Sequence, residues 1–351
     1  MVQNKLYFKL FSLLILCAVV LTACSPAAQA TTAPQATEPA AAAATSAPAA
    51  AKPTLKVAMA LPGPINDNDF NTVGYTGLKK ACEEMGIEYT YVEKVADADV
   101  ERVLRDFASR GYNLIFAHSF SFASAALAVA KDYPDITFMV AGSGFELNPN
   151  MGSYDNPDYQ GAYLAGMLAA GTSKTGVLGW VDGNPAPNML ANLHAFEDGA
   201  QEVNPDIKVL HTFIGSWYDP PKSKEAAIAQ VEQGADVLSA QGVGVIDAAV
   251  EKKVWVIGAM TDQNHLGPDV VLTSVLWDIY PVVKSMITSV SDGTWESKTY
   301  NFGVKDGAVK FSDFHGLDTN VPAEIMQKVN DKLSAIQNGT FEVPFDTSEV
   351  Q

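Results

Sequence analysis

Leu55-Lys-Val-Ala-Met-Ala-Leu61, followed by Pro62-Gly-Pro-Ile-Asn-Asp-Asn-Asp-Phe-Asn71, is the stretch that decides the fold. A short apolar run with one charge, ended by Pro and Gly, reads as a buried strand entering a loop. Beyond the loop, Val73, Gly77, Leu78, Ala81, Cys82 and Met85 recur at the helical period and stop at Gly86. The same order of strand, turn and helix repeats down the chain. Strands are predicted at 88–93, 113–117, 137–141, 176–181, 207–213, 235–240 and 254–259, with helical patterns between most of them. One helix covers 98–110 with Val100, Val103, Leu104 and Phe107 on its apolar face. Asp219 and Pro220 mark another helix start, since Asp caps and Pro suits the first turn. Trp277 reads as opening an amphipathic helix, Asp306-Gly307 as a hairpin turn between 300–304 and 308–311, and 322–337 as a last helix. Alternation at this spacing predicts an α/β fold of doubly wound parallel sheets, and two sets of units imply two similar lobes joined by a hinge. The expected N-terminal lobe is 54–163, completed by about 277–300. The C-terminal lobe is 164–276, and the hairpin and helix occupy 301–351.

Upstream, a basic start with Lys5 and Lys9 precedes the apolar run from Leu10 to Leu21. That run falls short of the roughly 20 residues a bilayer span needs, and it has the order of a signal peptide over 1–23. Leu21-Thr-Ala-Cys24 resembles the lipobox of bacterial lipoproteins, which implies lipidation of Cys24. From Ser25 to Pro53 the chain is nearly all Ala, Thr, Pro, Ser and Gln, with Glu38 and Lys52 its only charges. It has no aromatic or branched aliphatic residue to offset its ordering entropy, so 24–53 reads as a disordered tether.

The chain carries 23 basic and 40 acidic residues, a net charge of -17. Such acidity argues against nucleic acid and anionic lipid as partners, and solubility accounts for it. The cysteines are Cys17, Cys24 and Cys82, so the folded part has no partner for Cys82, which falls among core positions.

In parallel sheets of this kind, ligands meet the loops at the carboxyl ends of the strands. Those loops are 62–71, 118–122, 142–146, 181–188, 215–219, 241–245 and 260–264. They combine Asn, Asp, Ser, Gly and aromatic residues, a mixture suited to a flat ligand with polar edges. No catalytic arrangement stands out. The phosphate-binding glycine motifs are absent, the five histidines have no metal-ligand spacing, and Ala141-Gly-Ser-Gly144 lacks the outer glycines of a nucleophile elbow. Asp67-Asn-Asp-Phe-Asn71 lacks the glycine and distal glutamate of a calcium loop and reads as a loop with a helix cap. No metal and no cofactor is expected.

Asn66-Asp-Asn-Asp-Phe-Asn71 with Gly74-Tyr75-x-Gly77-Leu78 resembles the first loop and helix of the basic membrane lipoprotein family, the solute-binding proteins of ABC importers for purine nucleosides and related compounds. Tyr159-Gln-Gly-Ala-Tyr-Leu-Ala-Gly166, Phe196-Glu-x-Gly199, Asn204-Pro205, Gly234-Ala-Asp-Val-Leu238, Ile257-Gly258, Asp262-Gln263, Leu272-Thr-Ser274 and Lys305-Asp-Gly307 follow in the family's order. The resemblance implies a type I periplasmic-binding fold clamping its ligand between lobes. By position, Asp67, Phe70, Asn71, Ser119 and Phe120 would line the cleft from the first lobe, with Phe70 stacking and Asn71 bonding an edge. Trp217, Gly242 and Asp262 would close from the second, with Trp277 beside them. Met260 and Trp277 stand where nucleoside-binding members offer an aspartate and a lysine to ribose, which implies a free purine-type base ahead of a nucleoside. The implied partners are that ligand, permease and ATPase subunits, and a membrane reached through the lipid anchor on the extracytoplasmic side. The chain is expected to act as a monomer and not as an enzyme. A signalling receptor or adhesin is the alternative, and an enzyme acting on a purine a more remote one.

Overall fold

The computed structural model describes residues 54–350; the predicted signal peptide, Cys24 and tether lie outside the described residues. Two six-stranded sheets, each covered by helices, are built in turn. The first takes β1 (Lys56–Ala60), α1 (Phe70–Met85), β2 (Glu88–Val92), α2 (Val100–Ser109), β3 (Leu114–Ala117), α3 (Ala123–Asp132), β4 (Thr137–Ala141) and β5 (Met151–Asp155). The second takes α4 (Tyr159–Thr172), β6 (Val177–Asp182), α5 (Pro187–Val203), β7 (Lys208–Phe213), α6 (Pro220–Glu232), β8 (Val237–Ala240), α7 (Val245–Lys252), β9 (Trp255–Met260) and β10 (Val271–Trp277). The chain then returns to the first lobe with α8 (Tyr280–Asp292) and β11 (Thr299–Asn301), and ends in the second with β12 (Val309–Phe311) and α9 (Ala323–Gln337).

Strand order is β11-β5-β4-β3-β1-β2 in one sheet and β12-β10-β9-β8-β6-β7 in the other. All pairs are parallel except β12 against β10. The opening heptapeptide shows why. Val57, Met59 and Leu61 pack under α1 and α8, while Ala58 and Ala60 pack under α2 and α3, all fully buried. A strand buried on both faces needs side chains of both registers to be apolar, which is what a covered parallel sheet demands. In the second lobe Leu178 and Trp180 face α4, α5 and α9, and Val181 faces α6 and α7.

Three expectations are corrected here. Asp306-Gly307 closes no hairpin: Tyr300 pairs in parallel with Tyr154 in one sheet, and Val309 pairs with Trp277 in the other. The two strands flanking that turn each complete a different sheet edge, and Gly307 at φ 72° ends a 3-10 turn over Val304–Asp306. Trp277 is the last residue of β10, not the first of a helix, because its backbone is held by Val309. The chain leaves the first sheet by residues 156–158, before the expected boundary at 163/164, since α4 begins at Tyr159 and packs on α5 and the second sheet. The crossings at 156–158, 278–279 and 302–308 join the lobes.

Helices α4 and α5 meet backbone to backbone. A Cβ on Gly166 would lie 2.0 Å from the Phe196 carbonyl oxygen, and one on Gly199 would lie 2.0 Å from that of Tyr163. Neither neighbour is a side chain that can swing aside. Gly199→Ala is expected to lower stability by about 1–3 kcal/mol, read from the urea midpoint; an unchanged midpoint would contradict this contact.

Candidate functional site

The loop after β1 is organised by one carboxylate. Asp67 accepts hydrogen bonds from the backbone N–H groups of Asp69 (3.0 Å), Asn71 (3.1 Å) and Thr72 (2.9 Å). It also accepts from Asn71 Nδ2 (2.6 Å) and Thr72 Oγ1 (2.8 Å). Burial alone would raise this carboxyl, yet those donors hold it below its ordinary value. Asn71 in turn accepts from the Gly63 N–H (2.8 Å), so its amide bridges the loop, where a bond to a ligand edge was expected. Asp67 and Asn71 thus fix the position of Phe70.

Phe70 stacks on His118 with ring centroids 4.1 Å apart and 16° between planes. His118, at the end of β3, is fully buried. Its Nε2 lies 3.0 Å from the Phe70 carbonyl, which only accepts, so Nε2 carries the proton and Nδ1 accepts from the Tyr154 hydroxyl at 2.5 Å. Burial holds the imidazole neutral, pushing it down to about 4. Trp277 joins the same cluster, 5.1 Å from Phe70 at 36° and 6.0 Å from His118 at 27°. One aromatic ring from the first lobe therefore rests on one that closes the second sheet.

The far wall comes from the second lobe and the first crossing. Asp158, Asn192, Gln241, Met260 and Trp277 line a cavity of about 20 Å3, room for about one water. Met260 has φ 66°, a left-handed conformation costly for a side chain with a Cβ. The next residue, Thr261, reaches across to donate to the Asn68 carbonyl at 2.6 Å. Several buried polar groups lack partners among the described residues. Both amide atoms of Asn156, Trp180 Nε1, Asp182 Oδ2 and Trp277 Nε1 are buried with no hydrogen bond. Buried groups left so cost about 1–3 kcal/mol each, and native proteins leave few of them.

The carboxyls here are shifted together. Burial, then the charge of Asp155, pushes Asp158 up to about 8. Burial, then the charge of Asp67, pushes Asp69 up to about 6, against one backbone donor at Phe70. Burial is likewise the largest cause for Asp182, pushed up to about 7, with the charge of Asp69 adding to it. Asp69 belongs to the first lobe and Asp182 to the second, so their repulsion acts across the cleft.

The structure thus brings Asp67, Phe70, Asn71 and Trp277 together. It does not bring the other expected residues into that cluster. Ser119 is turned to Ser121, its hydroxyl 2.9 Å from that of Ser121. Phe120 is 63% exposed and packs edge-on against Phe145. Trp217 is 65% exposed and covers Gly183 at the rim. Gly242 lies one residue beyond Gln241, where a Cβ would sit 2.9 Å from Ser223 Oγ. Asp262 pairs with His315 at 2.8 Å. Sequence reasoning missed His118 as a platform, and also Asn156, Asp158, Asp182 and Asn192. The Asp155–Asp158 link carried the signal, as a polar run at the carboxyl end of an unrecognised strand.

The family described as ABC transporter substrate-binding protein, PnrA-like, matches residues 54–347. This chain belongs to that family. A purine-binding protein of Brucella abortus is 33% identical over 290 residues, covering 81% of both chains. An ABC transporter nucleoside-binding protein of Lactococcus lactis is 30% identical over 306 residues, covering 80% of this chain and 86% of its own. The solved solute-binding protein of an ABC transporter system from Conexibacter woesei superposes with a TM-score of 0.72 at 24% identity, covering 83% of this chain and 98% of its own. The last likeness shows the two-lobed α/β fold. Family membership makes this chain an ABC transporter substrate-binding protein.

The shifted groups give a pH signature. Asp158 and Asp182 bind protons more tightly folded than unfolded, so their contribution to stability is full below about pH 4 and is lost as pH rises through 7 to 8. His118 runs the other way, its contribution present above about 6.5 and lost as pH falls through 4. Between pH 6.5 and 8 only the carboxyls speak. The thermal midpoint of the ligand-free protein is expected to fall across that window, and Asp158→Asn to flatten the fall; an unchanged slope in the variant would contradict the placement of Asp158.

Proposed function

We propose that this protein is the solute-binding component of an ABC importer and closes its lobes on a purine-type base. The observation that carries the reading is the aromatic pair of Phe70 and Trp277, flanked by unpartnered donors and acceptors. Aromatic rings with polar groups at their edges suit a flat heterocycle. A base held between the two rings needs about 7 Å face to face, twice an ordinary carbon contact, so entry must part them from 5.1 Å. The purine-binding relative from Brucella abortus supports the ligand class.

Free base is preferred to nucleoside because Met260 and Trp277 offer the cleft interior side chains with at most one donor. A ribose there would leave hydroxyls unpaired, about 1–3 kcal/mol each. The nucleoside-binding relative from Lactococcus lactis keeps nucleoside as the second reading. No bond is made or broken in this account. His118 has both ring nitrogens engaged, Ser119 faces Ser121, and burial pushes the Cys82 thiol up to about 12. Ligand contacts made only in the closed state would drive closure. Cys24, lipidated, would hold this monomeric receptor at the outer face of the membrane beside its permease and ATPase.

Calorimetry with adenine, guanine and hypoxanthine against their nucleosides tests the reading. Tighter binding of the bases is expected, and guanosine or inosine binding far tighter would overturn the preference. Phe70→Ala and Trp277→Ala are each expected to weaken base binding about 5- to 150-fold, the loss of 1–3 kcal/mol of stacking. An effect below twofold in both would remove the aromatic pair from the site.

A further inference from the structure

Asp182 ends β6 at the mouth of the second lobe and is 2% exposed. Its Oδ1 accepts from the Gly183 N–H at 2.6 Å, which fixes the carboxyl plane. Gly183 cannot drift, since it lies beneath Trp217 and the Ser216 carbonyl: an added Cβ would sit 2.7 Å from Trp217 Cε3 and 2.9 Å from that oxygen. The other oxygen, Oδ2, has no partner among the described residues. Trp180, two residues back on the same strand face and fully buried, aims its indole N–H near enough to Asp182 to lower the carboxyl, without reaching full hydrogen-bond geometry. The indole is thus at best a weak donor to the carboxylate, whose Oδ2 keeps acceptor capacity to spare. Asp69 faces Asp182 from the first lobe, and neither carboxyl forms an ion pair with a lysine or arginine among the described residues.

We propose that Asp182 reads the ligand edge facing the second lobe by accepting a hydrogen bond from an amino N–H, so that the cleft selects amino-substituted bases over their oxo counterparts. This rests on the purine-base reading above. An amino group beside an unprotonated ring nitrogen presents a donor next to an acceptor, and the donor matches the Asp182 carboxylate. An oxo group beside a ring N–H presents the reverse order and sets oxygen against carboxylate. The bridging amino group also places a donor where two carboxyls of opposite lobes otherwise repel, which ties recognition to closure.

The test is competitive calorimetry of adenine and hypoxanthine with the folded full-length domain, wild type and Asp182→Asn, at pH 8.5 and 5.5. The groups facing Asp182 are Asp69, Trp180 Nε1 and the Gly183 N–H. Wild type is expected to favour adenine by about tenfold or more at pH 8.5, the worth of a hydrogen bond to a charged acceptor. That preference is expected to narrow at pH 5.5, where the protonated carboxyl donates instead. Asp182→Asn is expected to bring the two bases within about threefold at both pH values. A variant that keeps the wild-type ratio, or a wild type that favours hypoxanthine at pH 8.5, overturns the proposal. Should the variant fail to fold, the wild-type pH profile decides, and a ratio flat with pH counts against it. Free bases bound without discrimination sink this inference alone; nucleosides bound in place of any free base sink the reading beneath it as well.

Discussion

Polar groups removed from water must be answered by something. Among the described residues of this protein several are not: Asn156, Trp180, Asp182 and Trp277 all bury hydrogen-bonding atoms without partners. At about 1–3 kcal/mol for each group, the sum is comparable with the whole stability of an ordinary domain, about 5–15 kcal/mol. Contacts across the lobes offset part of this cost, chiefly Phe70 on Trp277 and the Thr261 hydroxyl on the Asn68 carbonyl. A ligand that answers the same groups converts the cost into affinity for the closed state alone. That is the differential binding which a two-lobed receptor requires to close on its solute and not otherwise.

The first lobe prepares its half in advance. Asp67 spends its lone pairs inside its own loop, and Asn71 bridges back to Gly63, so neither is free to follow a ligand. Their service is to aim Phe70. His118 completes the arrangement from below, stacked under the ring and bonded to the same residue's carbonyl. A side chain set by backbone hydrogen bonds and a buried imidazole loses little freedom on binding, which is the advantage of preorganisation. The second lobe instead contributes residues at strand ends, with Met260 in a left-handed backbone conformation next to the residue that reaches across.

Much of the fold was legible because a covered parallel sheet leaves a strong local imprint. Leu55–Leu61, Thr137–Ala141 and the Asp219-Pro220 helix start all lie where apolar runs and cap chemistry put them, and Asp219 accepts from the Lys222 N–H as a cap should. What failed was non-local. Asp306-Gly307 has the local chemistry of a hairpin, but each neighbouring strand finds an edge of a different sheet. Strand β5 has Gly152 and Ser153 in its middle, too little apolar signal to declare itself, so the polar link that follows it went unread. Phe70 was legible as an aromatic at a loop position and Trp277 only by resemblance; Asp158 and Asp182 were not, since an aspartate at a strand end is usually solvated and only the assembled fold encloses Asp182.

The central claim is that the aromatic pair and the unanswered polar groups form one solute site. A crystal structure of the protein with a purine base tests it directly. The account predicts the base lying between Phe70 and Trp277, their ring centroids parted from 5.1 Å to about 7 Å, with hydrogen bonds to atoms among Asn156, Asp182 and Trp277. A base bound elsewhere, with the two rings still in contact and those atoms answered by water, would contradict it.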